Sequence, residues 1–436
     1  MRLIQNSTQS GGARRVSARV FLGLVFLPLL SLGLSGCDTL FGPYENSADA
    51  YTVRSIWVRD QDTEGLGYDV TTRDGGYGQN AALFQLVADP SRAEGTTDAF
   101  YTAYVSSANF STVIGPLGNT FAAPPGQVED LGAAPDGRLN AVVWNEGAWA
   151  LYTVDPVAES YQILSELPSN VGGPFGIDPS LAISDDGLDI YLTTGSSFAI
   201  FRYRMSTPGD TSGVWSLHAG SPGELGEAGE GDGESATEVN LGYTVSPALA
   251  SDGTLYFLEH YVTRREGGAS ISWADSLIRA VRPDGTLETV AGAGSAPWAL
   301  WRGRRWLIKS AESMSALETE ALLAVDTDDA LYVYNGRRLL NPAGLFRIEP
   351  DTRMVSKVAG FGESPGTASW AFGQGRDRVA LDDWSTEAGA LGANARDVDL
   401  DWVFELVSSS WGDIYAVQGG SGILQGIRIL EISPPE

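Results

Sequence analysis

The side chains best suited to chemistry crowd into residues 298–309, where Trp298, Trp301 and Trp306 interleave with Arg302, Arg304, Arg305 and Lys309. Guanidinium groups fork onto carboxylate or phosphate, and indole faces stack on sugar rings. The segment is therefore a candidate binding patch for an anionic group or a glycan. A competing reading packs the tryptophans inward and pairs the arginines with the protein's own carboxylates. His260 is the second candidate, because it directly follows the apolar stretch around Tyr256 and can enter a loop face; a satisfied structural imidazole is its alternative. Other catalytic signatures are scarce. The only other histidine is His218, and the two show no metal-ligand spacing. Gly-Glu-Gly-Asp-Gly-Glu at 229–234 lacks the alternating acids and closing glutamate of a calcium loop, and no Gly-Lys-Ser follows it. Asp326, Asp328 and Asp329 also lack the later ligands of such a loop and read as a turn. No catalytic residue and no metal ligand is assigned. Calcium is the one cofactor left open.

Composition narrows the partners. The formal charge is -27, from 55 acidic and 28 basic residues. Such a surface repels phosphate backbones, so nucleic acid is not an expected partner. Hydrophobic residues at 43% and aromatics at 10% argue for a packed core rather than disorder. Near the start, Arg14, Arg15 and Arg19 precede an apolar run over Val20–Leu34. A basic segment, a short apolar run and small residues describe a secretory signal, too short for a comfortable membrane span. Its end, Leu34-Ser35-Gly36-Cys37, resembles a bacterial lipobox. The resemblance implies cleavage before Cys37 and acylation of that residue, palmitate included, and a lone cysteine here has no disulfide role. Two or more acyl chains hold a protein stably on a membrane. The expected organisation is a signal peptide over 1–36, a lipidated tether over 37–50 and a folded domain over 51–436. The expected location is the cell envelope, on the periplasmic leaflet or the outer membrane.

The folded domain must position any site, and it is built of repeats. Ala248–Gly292 contains two Asp-Gly steps, Asp252-Gly253 and Asp284-Gly285, each between alternating apolar runs, which is a strong hairpin signal. Four short antiparallel strands result, and a lone sheet of that size needs copies to pack against. Copies recur around Asn140, Tyr191, Tyr332 and Tyr415, with Tyr256 between them, and a degenerate one lies in Tyr51–Gly115. This rhythm predicts an all-β fold, a six-bladed β-propeller of four-stranded antiparallel blades, with seven blades as the alternative. The first strand is expected to complete the last blade.

One repeat carries a more specific signature. Ala219, Gly220, Gly231, Asp232, Gly233, Ala236, Thr237, Leu241, Ile278 and Arg279, followed by Val290-Ala291-Gly292, resemble the NHL-repeat propeller pattern. The likeness is specific over about a third of the chain and generic elsewhere. It implies the fold and leaves the ligand open, because the family spans scaffolds, enzymes and nucleic-acid binders. Long connections at Gly220–Asn240, Ala293–Glu320, Gly360–Val398, His260–Asp275 and Asn335–Ala343 are expected on one face, with tight turns on the other. Insertions gathered on one face often form a binding surface. The expectation is a lipid-anchored extracytoplasmic propeller that binds an envelope protein or a glycan through this face, without catalysing a reaction. Two alternatives remain: a hydrolase or lactonase with carboxylate-bound calcium at the central channel, and a purely structural envelope component.

Overall fold

The computed structural model describes residues 51–59, 84–88, 100–105, 112–116, 121–122, 124–171, 179–265, 268–293, 301–302, 305–306, 321–335, 344–359, 393–394, 400, 403–419 and 427–434. The signal segment, Cys37 and the tether lie outside these residues.

Strand β1 (Thr52–Arg59) comes first among the described residues. The first sheet follows as β2 (Phe84–Ala88), β3 (Phe100–Val105), β4 (Thr112–Pro116) and β5 (Phe121–Ala122). The second is β6 (Gln127–Ala133), β7 (Leu139–Asn145), β8 (Ala148–Asp155) and β9 (Ser160–Glu166). The third is β10 (Ser180–Ile183), β11 (Asp189–Thr193), β12 (Ala199–Arg204) and β13 (Val214–Gly220). The fourth is β14 (Tyr243–Leu249), β15 (Leu255–Arg265), β16 (Gly268–Val281) and β17 (Leu287–Ala291). A two-residue ladder, β18 (Trp301–Arg302) and β19 (Arg305–Trp306), precedes the fifth sheet of β20 (Leu322–Val325), β21 (Leu331–Asn335), β22 (Gly344–Ile348) and β23 (Val355–Ala359). The rest is β24 (Ala393–Asn394), β25 (Val403–Ser408), β26 (Ile414–Gly419) and β27 (Ile427–Ser433). All ladders are antiparallel, and the sheets are arranged as a β-propeller. The expectation of six four-stranded blades, with seven as the alternative, is not met: five four-stranded blades are found among the described residues. Besides these five and the two-stranded β18–β19 ladder, one sheet has five strands in the order β24-β1-β27-β26-β25. Its shape follows from chain closure: β1, from the start of the domain, pairs along β27 from Thr52↔Ser433 to Arg59↔Ile427. That pairing satisfies an edge that would otherwise stay open.

The strands form where apolar residues bracket a turn the backbone can make cheaply. In the turn after β14, Gly253 N–H donates to Ala250 O at 2.9 Å, and Asp252 accepts Thr254 N–H at 2.7 Å. Gly253 sits at φ +88°, a conformation that costs glycine little. The same carboxylate-to-amide bond recurs at Asp136, Asp284 and Asp326. In the Asp326 turn no glycine is available, and Asp329 takes the left-handed position at φ +63°. Its carboxylate receives Ser251 N–H and Oγ–H, both at 2.6 Å, tying neighbouring turns together. Asp326 and Asp329 are thus turn residues.

Bulges alternate around the centre. The inner strands β6, β14 and β25 each shift register, whereas β10 and β20 pair without a shift. The bulges turn polar side chains onto the next inner strand. Asp130 accepts Leu181 N–H at 2.5 Å, and Ser246 Oγ accepts Leu323 N–H at 3.0 Å. The core itself lies between sheets. Val290 of the fourth sheet, for example, packs with Leu323, Val325 and Val333 of the fifth.

Candidate functional site

The described residues line a central channel and a second cavity. The central channel encloses about 510 Å³ and is lined by β2, β6, β10, β14, β20 and β25 with the turns that follow them. Its carboxylates include Asp130, Asp326, Asp329 and Glu405. Asp130 and Ser246 hold adjacent inner strands, and Asp329 holds adjacent turns, so these groups have structural partners. Among the described residues no group of three or more His, Cys, Asp or Glu is placed to hold a metal ion.

The second cavity, of about 630 Å³, is a cleft between the third and fourth sheets at the end carrying their tight turns. It is built from consecutive strands of the third sheet. Tyr191 on β11 stands opposite Arg202 on β12. Arg202 grips Asp189 through Nε at 2.7 Å and Nη2 at 2.6 Å, and its guanidinium lies 5.8 Å from the Tyr191 ring centre. That two-point bond raises the Arg202 pKa further, while burial pushes the Tyr191 hydroxyl up. His218 completes the wall from β13, its ring edge-on to Tyr191 with centres 4.7 Å apart.

His218 owes its orientation to a bulge. Ile200 pairs with Ala219 and Phe201 with Leu217, leaving His218 as the extra residue. The outer strands of the second, fourth and fifth sheets carry the same bulge, with Leu164, Val290 and Val358 as the extra residues. Those three are 3%, 1% and 0% exposed and face the next sheet. An imidazole therefore stands where the repeat elsewhere buries an aliphatic side chain. Its Nε2 is enclosed and has no hydrogen-bond partner. Burial first, and the Arg202 charge second, push its pKa down from 6.5 to about 4, with Asp189 opposing. At neutral pH the ring is uncharged.

Of the candidates read from sequence, only some fall on described residues. His260 is 2% exposed, bonds Ser276 Oγ through Nδ1 and stacks on Tyr243. In the 298–309 cluster, the backbones of Trp301 and Trp306 pair, as do those of Arg302 and Arg305. Trp298 and Arg304 lie outside the described residues, as does Cys37. Gly362-Glu363-Ser364-Pro365-Gly366 has the spacing of a nucleophile elbow, is not among the candidates read from sequence, and also lies outside the described residues. The 229–234 run serves as a latch. Arg279 is fully buried, donating to Glu259 Oε2 at 2.6 Å, Glu230 O at 2.7 Å and Asp232 Oδ1 at 3.1 Å. Glu259 also accepts Gly242 N–H at 2.6 Å and Gly229 N–H at 3.1 Å. Through these bonds the 220–240 insertion lies back along the fourth sheet, where Gly233 N–H reaches Leu287 O at 2.8 Å. It does not stay on the face of its own connection. Sequence reading missed the cleft. The signal was His218-Ala219-Gly220 standing where aligned repeats have Val290-Ala291-Gly292 and Val358-Ala359-Gly360.

No protein-family model matches the chain, and no curated protein matches it. Among solved structures, a structural genomics protein of unknown function from Bacteroides thetaiotaomicron VPI-5482 aligns with TM-score 0.51 and 13% identity, covering 88% of this chain and 76% of that one. A putative TolB from Agrobacterium tumefaciens aligns with TM-score 0.39 and 14% identity, covering 81% and 91%. A putative gluconolactonase aligns with TM-score 0.39 and 9% identity, covering 88% and 92%. At such identities the likeness is one of fold.

Proposed function

We propose that the protein is a lipid-anchored, extracytoplasmic binding module whose partner is an envelope protein or a glycan. The observation that carries this reading is the contrast between the two cavities. Polar groups of the channel are engaged in holding neighbouring strands and turns together, whereas the cleft keeps an imidazole nitrogen without a partner beside an aromatic ring and a fixed guanidinium. Recognition sites typically combine such a few oriented polar groups with an apolar wall. The anchor is supported by Leu34-Ser35-Gly36-Cys37 behind a basic and apolar leader, and in this reading the repeats are of NHL type.

Calorimetric titration of the purified protein with calcium, with chelator controls, separates this reading from its rival. No binding is expected. Stoichiometric calcium binding would instead favour a propeller hydrolase using Asp130, Asp326, Asp329 or Glu405 at the channel. Metabolic labelling with palmitate tests the anchor: Cys37→Ala is expected to abolish the label, and a labelled variant would refute lipidation there.

A further inference from the structure

The cleft between the third and fourth sheets has a character that selects among ligands. Its wall carries Asp185, Asp186, Asp189 and Asp284 against Arg202 and Arg282, four carboxylates to two guanidiniums. Both guanidiniums are already matched, Arg202 by Asp189 and Arg282 by Glu288. An anion entering here meets a net negative wall with its cations occupied. His218 adds no positive charge at neutral pH. What is left unmatched among the described residues is hydrogen-bonding capacity. His218 Nε2 has no partner, no bond to the Asp185 carboxylate is made, and Arg202 keeps its Nη1 after engaging Asp189 through Nε and Nη2. Hydroxyl groups fit such a set because each can donate to a carboxylate or imidazole and accept from a guanidinium. Tyr191, almost fully buried and edge-on to His218, holds the imidazole in the cleft wall.

The position of His218 within the repeat argues that this is more than leftover space. At the equivalent bulge the second, fourth and fifth sheets place Leu164, Val290 and Val358, and each is buried. An imidazole without a hydrogen-bond partner is costlier to enclose than valine. A group that weakens packing where its repeats choose an aliphatic side chain is explained by a ligand that satisfies it. His218 is itself only half-buried and lines the cleft, so one edge of the ring borders the cavity. Nε2 is enclosed in this orientation, and a half-turn about Cβ–Cγ, which exchanges nitrogens with carbons, is the movement by which a ligand at that edge reaches a ring nitrogen.

We propose that this cleft binds a small neutral polyhydroxylated molecule, a monosaccharide or the terminal sugar of a glycan, through His218, Arg202 and Asp185. The assignment rests on the binding reading above and names its site. The chain has only two histidines, so its imidazole nitrogen resonances are assignable, with His260 as an internal control. Glucose, mannose, N-acetylglucosamine and tri-N-acetylchitotriose serve as probes on the purified protein, with succinate as the anionic control. The expected result is a saturable shift of the His218 signals by at least one sugar, no shift at His260, and at least about tenfold weaker binding in His218→Val. Tighter binding of the trisaccharide than of N-acetylglucosamine assigns a glycan end, and equal affinity assigns a free sugar. The assignment is overturned if no sugar in large excess moves His218, if His218→Val binds equally well, or if succinate binds in preference. Asp185→Asn, at an exposed position, is a second variant that keeps the test valid should His218→Val misfold. Capture of an envelope protein that survives both substitutions would leave the general binding reading standing while removing this site.

Discussion

Replacing His218 by valine should stabilise the protein, and by an amount that grows as the solution is acidified. Valine is the residue that Val290 and Val358 place at the same bulge, so the backbone accepts it. At pH 7.5 the change removes an enclosed nitrogen without a hydrogen bond, a defect worth about 1–3 kcal/mol, and it offsets part of that by leaving a somewhat larger cleft. A net gain of about 1 kcal/mol is expected. Acid adds the second contribution. The folded protein holds His218 at a pKa of about 4, while the unfolded chain has it at 6.5. Below pH 6.5 the unfolded state binds the proton that the folded state refuses, so wild-type stability falls as pH drops from 6.5 towards 4. At pH 4.5 the loss integrates to about 2.5 kcal/mol, at 1.36 kcal/mol for each pH unit. The charged groups acting on the ring are Arg202 and Asp189, the cleft wall also carries Asp185, Asp186, Asp284 and Arg282, and the two guanidiniums do not titrate in this window. The carboxylates are common to both proteins, so they largely cancel in the difference. Urea unfolding of wild type and His218→Val at pH 7.5 and 4.5 should give differences of about 1 and about 3.5 kcal/mol. A difference that is independent of pH would refute the claim that the protein encloses a neutral imidazole. A destabilised variant at pH 7.5 would refute the claim that its nitrogen lacks a partner.

The other predictions concern what holds the site in place. Glu259→Gln removes the buried counter-charge of a fully buried guanidinium, leaving it only the half-exposed Asp232, and should cost about 3–5 kcal/mol by urea unfolding, with faster proteolysis within the 220–240 insertion; a loss under about 1 kcal/mol would sink the latch argument. Tyr332→Phe leaves the Tyr51 hydroxyl, now 3.0 Å from Tyr332 Oη, without its partner. About 1–2 kcal/mol should be lost, with faster hydrogen exchange along β1, and unchanged exchange there would separate this bond from chain closure. Asp130→Ala uncaps Leu181 N–H and should cost about 1 kcal/mol without altering calcium response; a changed calcium response would return the channel carboxylates to a functional role.

Much of the architecture was legible in the chain because it is local. Alternating apolar runs around Asp252-Gly253 and Asp284-Gly285 determine hairpins whatever lies beyond them, since the glycine conformation and the carboxylate-to-amide bond are made within four residues. Repetition of that grammar determined an all-β propeller. The leader up to Cys37 determined the expected address for the same reason, as a contiguous pattern. The make-up of the last sheet was not local: joining β1 to β27 required both ends of the domain to be placed. Arg279 could be matched to a repeat pattern, but its bonds to Glu259, Glu230 and Asp232 come from separate segments that meet only when the insertion folds back. His260 looked available after its strand, yet tertiary packing encloses it against Tyr243 and Ser276. His218 drew no attention because nothing beside it in sequence is acidic or histidine. Asp189, Tyr191 and Arg202 reach it only through strand register, and the bulge in β13 decides that the imidazole faces the fourth sheet. Sequence determined which strands form, because turns and alternation act over a few residues. Tertiary structure alone decided which side chains share a cleft, because that depends on pairing register and on the packing of one sheet against the next.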